Sequence, residues 1–392
     1  MIARTIVTLV AAALLAAEIV QNASALSLAK KHPDAAARFW PRHPATEISR
    51  AMAQIAQAAR LRRPIPEAVF ATLDDAAIKE PLAPEPYLVR GVQAELGGDG
   101  PSAQRAFEAA QWRDPRSLPA AYFLAERYFR KGDVSRGLTQ VAALARLSPS
   151  GNATVAPYLA AYGRNPANWP ALRTLFAANP ELAQSALLEL SSNLATAPAA
   201  LALADPREKA EDAHWLGALI ATLVGGGQYA KAHEVWIRTV SRQNGNGQLI
   251  YDASFTDAKA LAPFNWTLAS SGIGLAERES GARLHVVFYG QQDGILASEL
   301  LLLTPGEYRL SMELLGEASR AKILNWSIWC DRADTPIASV ALDAAAARGW
   351  EFTVPARCAA QWLKLSGASA DLPQQVDVVI TGLKLERVRK GA

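Results

Sequence analysis

Three prolines in the first half of the chain stand 34 residues apart, at Pro81, Pro115 and Pro149. Small and apolar residues repeat with the same spacing, in the pairs Gly91 and Ala125, Ala103 and Gly137, and Phe107 and Val141. A fixed period of this length predicts a fold built from stacked copies of one supersecondary unit. Because a single unit cannot bury its apolar face alone, neighbouring units must share a continuous core.

The period resembles that of the tetratricopeptide repeat family, whose unit is a pair of helices joined by a turn. Small residues in both helices let the pair approach closely, large residues fill the remaining space, and the proline ends the second helix. The resemblance is specific over residues 84–150. Its signature residues are Tyr87, Gly91, Ala94, Ala103, Phe107, Ala110 and Pro115, then Ala121, Ala125, Tyr128, Gly137, Val141, Leu144 and Pro149.

Weaker repeats flank these two units. An earlier one has Val69, Leu73, Ala76 and Pro81 in place, but Gln57 stands where a small residue belongs. After Pro149 the repeat degenerates, until a last helix pair is predicted around the turn Gly225-Gly226-Gly227. At least three stacked units are needed for a stable solenoid. We therefore predict one α-solenoid over residues 45–243, resembling tetratricopeptide repeats.

Membership of that family implies a groove that binds a peptide or protein partner. The candidate groove residues lie on the first helices of the repeats: Arg90, Gln93, Glu126, Arg127 and Arg130. The alternative is that these are ordinary solvated surface residues.

The N-terminus has the pattern of an export signal. Arg4 precedes an apolar run from Thr5 to Ala17, and Ala23-Ser24-Ala25 matches a cleavage site of the A-x-A type. Residues 1–25 are therefore interpreted as a signal peptide or as a retained membrane anchor, followed by a helical linker over 26–44. Both interpretations place the body in the periplasm, either soluble or attached to the inner membrane. A buried first helix of a cytosolic protein is the third alternative.

From residue 249 the pattern changes to short alternating runs separated by turn residues, which predicts an antiparallel β-sandwich or jelly roll over 249–388. The chain as a whole is predicted to be multidomain, α then β. The predicted strands are 249–252, 264–268, 274–277, 283–289, 296–303, 306–315, 324–330, 337–342, 350–354, 361–366 and 377–386.

The segment from Leu303 to Leu310, with Pro305-Gly306 at its turn, is similar to hairpins of carbohydrate-binding-module sandwiches. That resemblance implies sugar stacking on aromatic rings beside a few polar groups. The candidate glycan contacts are Trp266, Trp350, Asn265, Glu351 and Gln361, whereas Trp326 or Trp329 is expected in the core. The alternative is a domain that only packs or contacts protein.

The two cysteines, Cys330 and Cys358, both fall in the strand-rich part. In an oxidising compartment such a pair is expected to form a disulfide. Two free buried thiols are the alternative.

The sequence lacks the common motifs of catalytic, metal-binding and phosphate-binding sites. No H-E-x-x-H, C-x-x-C, G-x-S-x-G or phosphate-binding glycine loop occurs. A net charge of +3 with dispersed Lys and Arg argues against nucleic-acid binding. We therefore predict no cofactor, no metal and no enzymatic activity.

The order of the parts resembles accessory proteins of bacterial exopolysaccharide or O-antigen assembly. It implies an envelope scaffold that binds protein partners through the solenoid and, through the sandwich, polysaccharide. A secreted glycan-binding protein is the alternative, and a polysaccharide-active enzyme of unfamiliar type is the second alternative.

Overall fold

The structure, a computed structural model, describes residues 2–205, 212–240, 248–316, 318–369 and 374–388. Helices occupy the first part of the chain and antiparallel strands the last, so the architecture is α followed by β. The chain forms two compact units, Met1–Val155 and Ala156–Ala392. The predicted solenoid also includes positions 206–211 and 241–243, which lie outside the described residues.

Unit 1 is helical, and its helices pack as consecutive pairs: α3 with α4, α5 with α6, and α7 with α8. A ninth helix, α9, begins in it and spans Gly151–Gly163. The other bounds are α1 Ile2–Ala29, α2 Pro33–Phe39, α3 Pro44–Arg60, α4 Glu67–Lys79, α5 Glu85–Leu96, α6 Gly100–Arg113, α7 Leu118–Arg130 and α8 Val134–Leu147.

The turns inside the α5–α6 and α7–α8 pairs are copies of each other. Gly98 and Gly132 adopt φ values of +77° and +75°, a conformation that glycine adopts without a steric cost. Asp99 and Asp133 then cap the second helix of each pair, accepting from the backbone N–H three residues later at 3.0 and 3.2 Å. The 34-residue period of the sequence therefore corresponds to a repeated helical hairpin.

Close packing within each pair depends on the small signature residues. Gly91 on α5 lies directly against the Phe107 ring of α6, and Gly137 on α8 lies against Phe129 of α7. Phe107 in turn stacks on Phe123 of the next pair, with 4.6 Å between the ring centroids. These contacts place the α5–α8 region in the tetratricopeptide-like class that the repeat predicts.

Unit 2 begins with further helices and ends with a β-sandwich. The helices are α10 Trp169–Ala178, α11 Pro180–Ser191, α12 Ala197–Leu203, α13 Trp215–Gly225 and α14 Tyr229–Ile237. The strands are β1 Thr267–Leu268, β2 Gly274–Glu279, β3 Arg283–Phe288, β4 Gly294–Leu301, β5 Gly306–Gly316, β6 Leu324–Cys330, β7 Ala338–Ala341, β8 Trp350–Val354, β9 Gln361–Gly367 and β10 Val376–Arg387, with a short helix α15 Leu342–Arg348.

The strands form two five-stranded antiparallel sheets, in the orders β1-β4-β9-β6-β7 and β2-β3-β10-β5-β8. Alternate residues of both sheets enter one core, for example Trp326 and Ile328 of β6 in the first sheet and Val378 and Ile380 of β10 in the second. The sequence pattern locates ten of these strands. Strands such as β3, β8 and β9 alternate between buried and more exposed residues, which is the signal of a sandwich strand.

The predicted strand at 249–252 is wrong, because this segment forms a turn. Asp252 has a φ of +47°, and its carboxylate accepts from the backbone N–H groups of Thr256 and Asp257 at 2.7 and 2.9 Å. A side chain that captures its own backbone in this way competes with the hydrogen bonds of a sheet.

The predicted disulfide between Cys330 and Cys358 is confirmed, with 5.3 Å between the two Cα atoms. Cys330 ends β6, and Cys358 lies in the loop that precedes β9. The bond therefore joins the end of one strand to the loop that leads into its neighbour in the sheet.

A glycine pair tests the packing of the helical hairpin. Gly91→Ala should cost about 1–3 kcal/mol, because a Cβ there overlaps the Phe107 ring. Gly217→Ala, in α13, should instead stabilise by about 0.5–1 kcal/mol, because no atom lies within 4 Å of its Cβ position. Denaturant unfolding followed by circular dichroism would measure both changes. Equal effects of the two substitutions would contradict the close contact at Gly91.

Candidate interaction surfaces

Four of the five predicted groove residues of unit 1 carry charge, and each of these is paired. Arg90 on α5 meets Asp74 of α4 at 2.6 Å. On α7, Arg127 and Arg130 both meet Glu95 of α5, at 2.5 and 2.9 Å. The ion pairs therefore run from one helical hairpin to the next.

Glu126 pairs with Arg130 of the same helix at 2.8 Å, and Gln93 is exposed. Burial alone would raise the pKa of Glu95, but the hydrogen bond and charge of Arg127, with Arg130, lower it overall. Arg127 is largely buried, and its guanidinium packs against Gly100 of the preceding hairpin. Arg90, Gln93, Glu126 and Arg130 remain on the surface.

A second surface on unit 1 was not among the groove residues predicted from the repeat. The Arg113 guanidinium at the end of α6 lies 3.6 Å from the ring centroid of Tyr87 on α5 and 5.4 Å from that of Trp112. Its Nε donates to the carbonyl of Pro81 at 2.6 Å, which fixes the side chain. Trp112 is 71% exposed, and Leu82, next to Pro81, is exposed as well. We call Leu82, Tyr87, Trp112 and Arg113 the aromatic–arginine cluster.

The structure places four of the five candidate glycan contacts inside the sandwich. Trp266 packs against Phe255 and Trp326 in the core, and Trp350 is buried beside Phe352. Their rings offer no open face to a ligand in this conformation.

The two buried amides among the candidates hold loops. Asn265 donates to the carbonyls of Asp257 and Ala260, both at 2.9 Å. Gln361 accepts from the Leu303 N–H at 2.8 Å and donates to the Cys358 carbonyl at 2.6 Å. The amide groups of Asn265 and Gln361 therefore bind the protein's own backbone.

The fifth candidate, Glu351, lies on the surface. It pairs with Arg309 at 3.5 Å on the outer side of β8 and β5. Both line an open groove of about 860 Å³, together with Lys384, Glu386 and Arg387. Charges of both signs alternate across this groove.

The outer face of the other sheet carries aromatic residues, and of the two tryptophans of which one was expected in the core, Trp326 is the buried one. Trp329 of β6 is half-exposed, its Nε1 donates to the Ser327 hydroxyl at 2.8 Å, and Lys364 Nζ lies 4.7 Å from its ring centroid. Burial lowers the pKa of Lys364, against the opposing charge of Asp331. Asn325 and Ser366 are paired in register on the same face. We call Asn325, Ser327, Trp329, Lys364 and Ser366 the outer-face row.

Next to the row, Trp362 is fixed rather than free. Its Nε1 donates to one carboxylate oxygen of Asp331 at 2.9 Å, while the Tyr229 hydroxyl donates to the other at 2.5 Å. Burial, followed by the bond to Asp331, raises the pKa of Tyr229. These bonds hold the start of α14 against the end of β6.

A buried carboxyl group lies where β4 meets the turn at Asp252. Glu299 is 1% exposed; its Oε1 accepts from the Tyr251 N–H at 2.8 Å, and its Oε2 has no hydrogen-bond partner among the described residues. Burial raises its pKa well above the ordinary value, and the nearby charge of Asp252 adds to this rise. Asp252 itself meets Arg278 at 3.5 Å.

Among the described residues, no group of three or more His, Cys, Asp and Glu side chains is arranged to hold a metal ion. The closest approach to catalytic geometry is His285 on β3. Its ring contacts Asp377 at 2.9 Å and Glu277 at 3.3 Å, and the bond to Asp377 raises its pKa. An imidazole held between two carboxylates can carry a proton, and both ring nitrogens of His285 are engaged by these carboxylates.

No model of a known protein family matches the chain, and no curated protein matches it. Among solved structures, it is similar to that described as "Crystal Structure of the Yeast Tom70", at 15% identity and a TM-score of 0.27. The match covers 54% of this chain and spans 45% of that one. Similarity at this level supports no conclusion about partners or activity.

Glu299→Gln tests the buried carboxyl. Because the folded pKa is raised, wild-type stability is fully present at pH below the ordinary Glu value and falls as pH rises toward the raised value. Glutamine keeps the acceptor for Tyr251 N–H and does not ionise, so the variant should equal wild type in acid and become the more stable protein with rising pH. Melting temperatures across that pH range would measure this. A constant difference at every pH would contradict it.

Proposed function

We propose that this protein is a non-enzymatic scaffold of the cell envelope that binds a protein partner through its tetratricopeptide-like helices. The observation that carries the proposal is the aromatic–arginine cluster, which presents Trp, Tyr and Arg together at the end of a repeat hairpin. These three residue types dominate the energetic centres of protein interfaces. A partner segment with an apolar side chain and a carboxylate fits the cluster, since it can cover Trp112 and meet Arg113.

The cluster is also organised in advance. Arg113 is held by the Pro81 carbonyl and by its own helix through Ala109, at 2.6 and 2.8 Å. Holding a side chain in its bound position lowers the entropy lost on association. Covering an exposed tryptophan contributes about 1.5–3 kcal/mol or more from its apolar area. By contrast, the groove charges at Arg90 and Arg130 must first break their ion pairs.

Export to the periplasm is part of the same proposal. The disulfide Cys330–Cys358 suits an oxidising compartment, and α1 has the length and composition of an export or membrane segment. A role in polysaccharide assembly or export follows from the order of the parts, with an envelope protein as the partner of the helices.

Photo-crosslinking tests the protein-binding surface. A crosslinking residue at position 112 should capture a defined envelope protein in cells, and Trp112→Ala should weaken its binding about tenfold without changing the melting temperature. Tyr158, 74% exposed on α9, supplies the matched control position. Identical crosslinks from positions 112 and 158, or undiminished binding by Trp112→Ala, would contradict the proposal.

A second candidate function is glycan binding by the sandwich, and the outer-face row is the observation that favours it. Trp329 supplies a ring for a sugar to stack on, while Asn325 and Ser366, paired across β6 and β9, supply an amide and a hydroxyl on the same face. In the described contacts Lys364 has no ion-pair partner. A polysaccharide bearing carboxylates therefore suits the row better than a neutral one.

Affinity electrophoresis through gels containing acidic polysaccharides tests this second function. Trp329→Ala should lose retardation by about tenfold in apparent affinity, since it removes the ring while leaving the core intact. Trp112→Ala controls for the loss of an exposed tryptophan in the other unit and should migrate like wild type. Retardation that Trp329→Ala leaves unchanged would remove the outer-face row from consideration.

A further inference from the structure

Helix α1 has a C-terminal end that belongs to the folded part of unit 1. Ala25 is 0% and Ala29 2% exposed, and the helix packs against α2 and α3. Asn22 Oδ1 lies 2.8 Å from His43 Nε2, and Nδ1 of the same ring accepts from the Ala45 N–H at the start of α3. The last two turns of α1 therefore share side-chain contacts with the helices that follow.

The preceding part of α1 shows the opposite behaviour. Between Thr8 and Gln21 its large apolar side chains are 54 to 67% exposed, and they occur as adjacent pairs five residues apart: Leu9 and Val10, Leu14 and Leu15, Ile19 and Val20. At 100° per residue these positions surround the helix instead of forming one stripe. A helix that docks on a protein needs an apolar stripe, whereas one that is apolar on all sides suits a hydrocarbon environment.

The length of the helix before Asn22 also fits a bilayer. From Ile2 to Gln21 the helix has about 20 residues, which at 1.5 Å per residue makes about 30 Å, the thickness of a hydrocarbon core. The charged residues of the stretch lie toward its ends. Arg4 is near the start, and Glu18 is one turn before Asn22, where a side chain can reach the interface.

We infer that α1 is retained as a single-pass membrane anchor, whose partner is the lipid bilayer and whose last two turns form part of unit 1. A cut after Ala25 would remove the partner of His43 and a fully buried alanine, so the fold uses residues that a cleaved signal peptide would lose. The continuous helix holds α2 and α3 directly at the membrane surface. This inference deepens the envelope location in the proposed function and is independent of partner binding.

The first experiment is intact-mass analysis of the full chain recovered from bacterial membranes after an alkaline carbonate wash. The expected protein stays in the membrane pellet, dissolves only in detergent and retains residues 1–25. A mass that begins at Leu26, or release by carbonate, would overturn the inference. Neither readout depends on a partner, so failure of the scaffold function is distinguishable from failure of the anchor.

Substitutions separate the two parts of α1. Leu14→Arg with Leu15→Arg should move most of the protein out of the carbonate-resistant pellet, while Ile78→Arg, at an exposed apolar site on α4, should not. Asn22→Ala, measured in detergent, should lower the melting temperature of unit 1 by about 2–4 °C through loss of its bond to His43. An unchanged melting temperature would mean that the end of α1 is not part of the fold. If the double-arginine variant does not accumulate, the intact mass of the wild-type protein and its resistance to the carbonate wash suffice to test the anchor.

Discussion

The contact between a glycine on one helix and a phenylalanine ring on its partner is the constraint on which the helical repeats depend. At Gly91 and Gly137 the absence of a side chain lets Phe107 and Phe129 lie directly on the backbone of the paired helix. Phe107 then reaches Phe123 of the next hairpin, so one buried ring joins contacts within a repeat to contacts between repeats. The ion pairs of Glu95 with Arg127 and Arg130 cross the same boundary. Packing sets the spacing of the hairpins, and charge fixes their register.

Unit 2 shows how polar residues are buried without disrupting a sandwich. Asp252 satisfies two backbone N–H groups and meets Arg278, while Asn265 serves the carbonyls of the adjoining loop. Glu299 keeps one oxygen unpartnered and is accommodated by holding its proton, because a neutral carboxyl costs far less to bury than a carboxylate. This polar cluster replaces the strand expected at 249–252 and closes one part of the core.

Sequence patterns predict the buried face of a helix or strand better than its outer face, for a physical reason. Repeat spacing and strand alternation report which face of an element is buried, and they located the α5–α8 hairpins and ten strands. They do not report what covers the outer face. Trp266 is buried because the turn at Asp252 and the loop from Asp257 to Ala260 fold over its neighbourhood. Trp329 is half-exposed because its strand face is left open by the same chain. The burial of Trp266 and the exposure of Trp329 both depend on contacts between distant parts of the chain, which a local sequence pattern does not report.

The same reasoning explains why the most exposed tryptophan was missing from every sequence motif. Trp112 lies three residues before the proline that ends its repeat, at a position where the helical pattern requires only a surface residue. A polar residue would satisfy the helical pattern there equally well, since the hairpin leaves the Trp112 ring 71% exposed. Its neighbour Arg113 is nevertheless held in place by Tyr87 and Pro81, so the fold positions polar groups around a ring that it does not bury. The exposed ring beside a fixed Arg113 is therefore the feature on which the proposed partner surface rests.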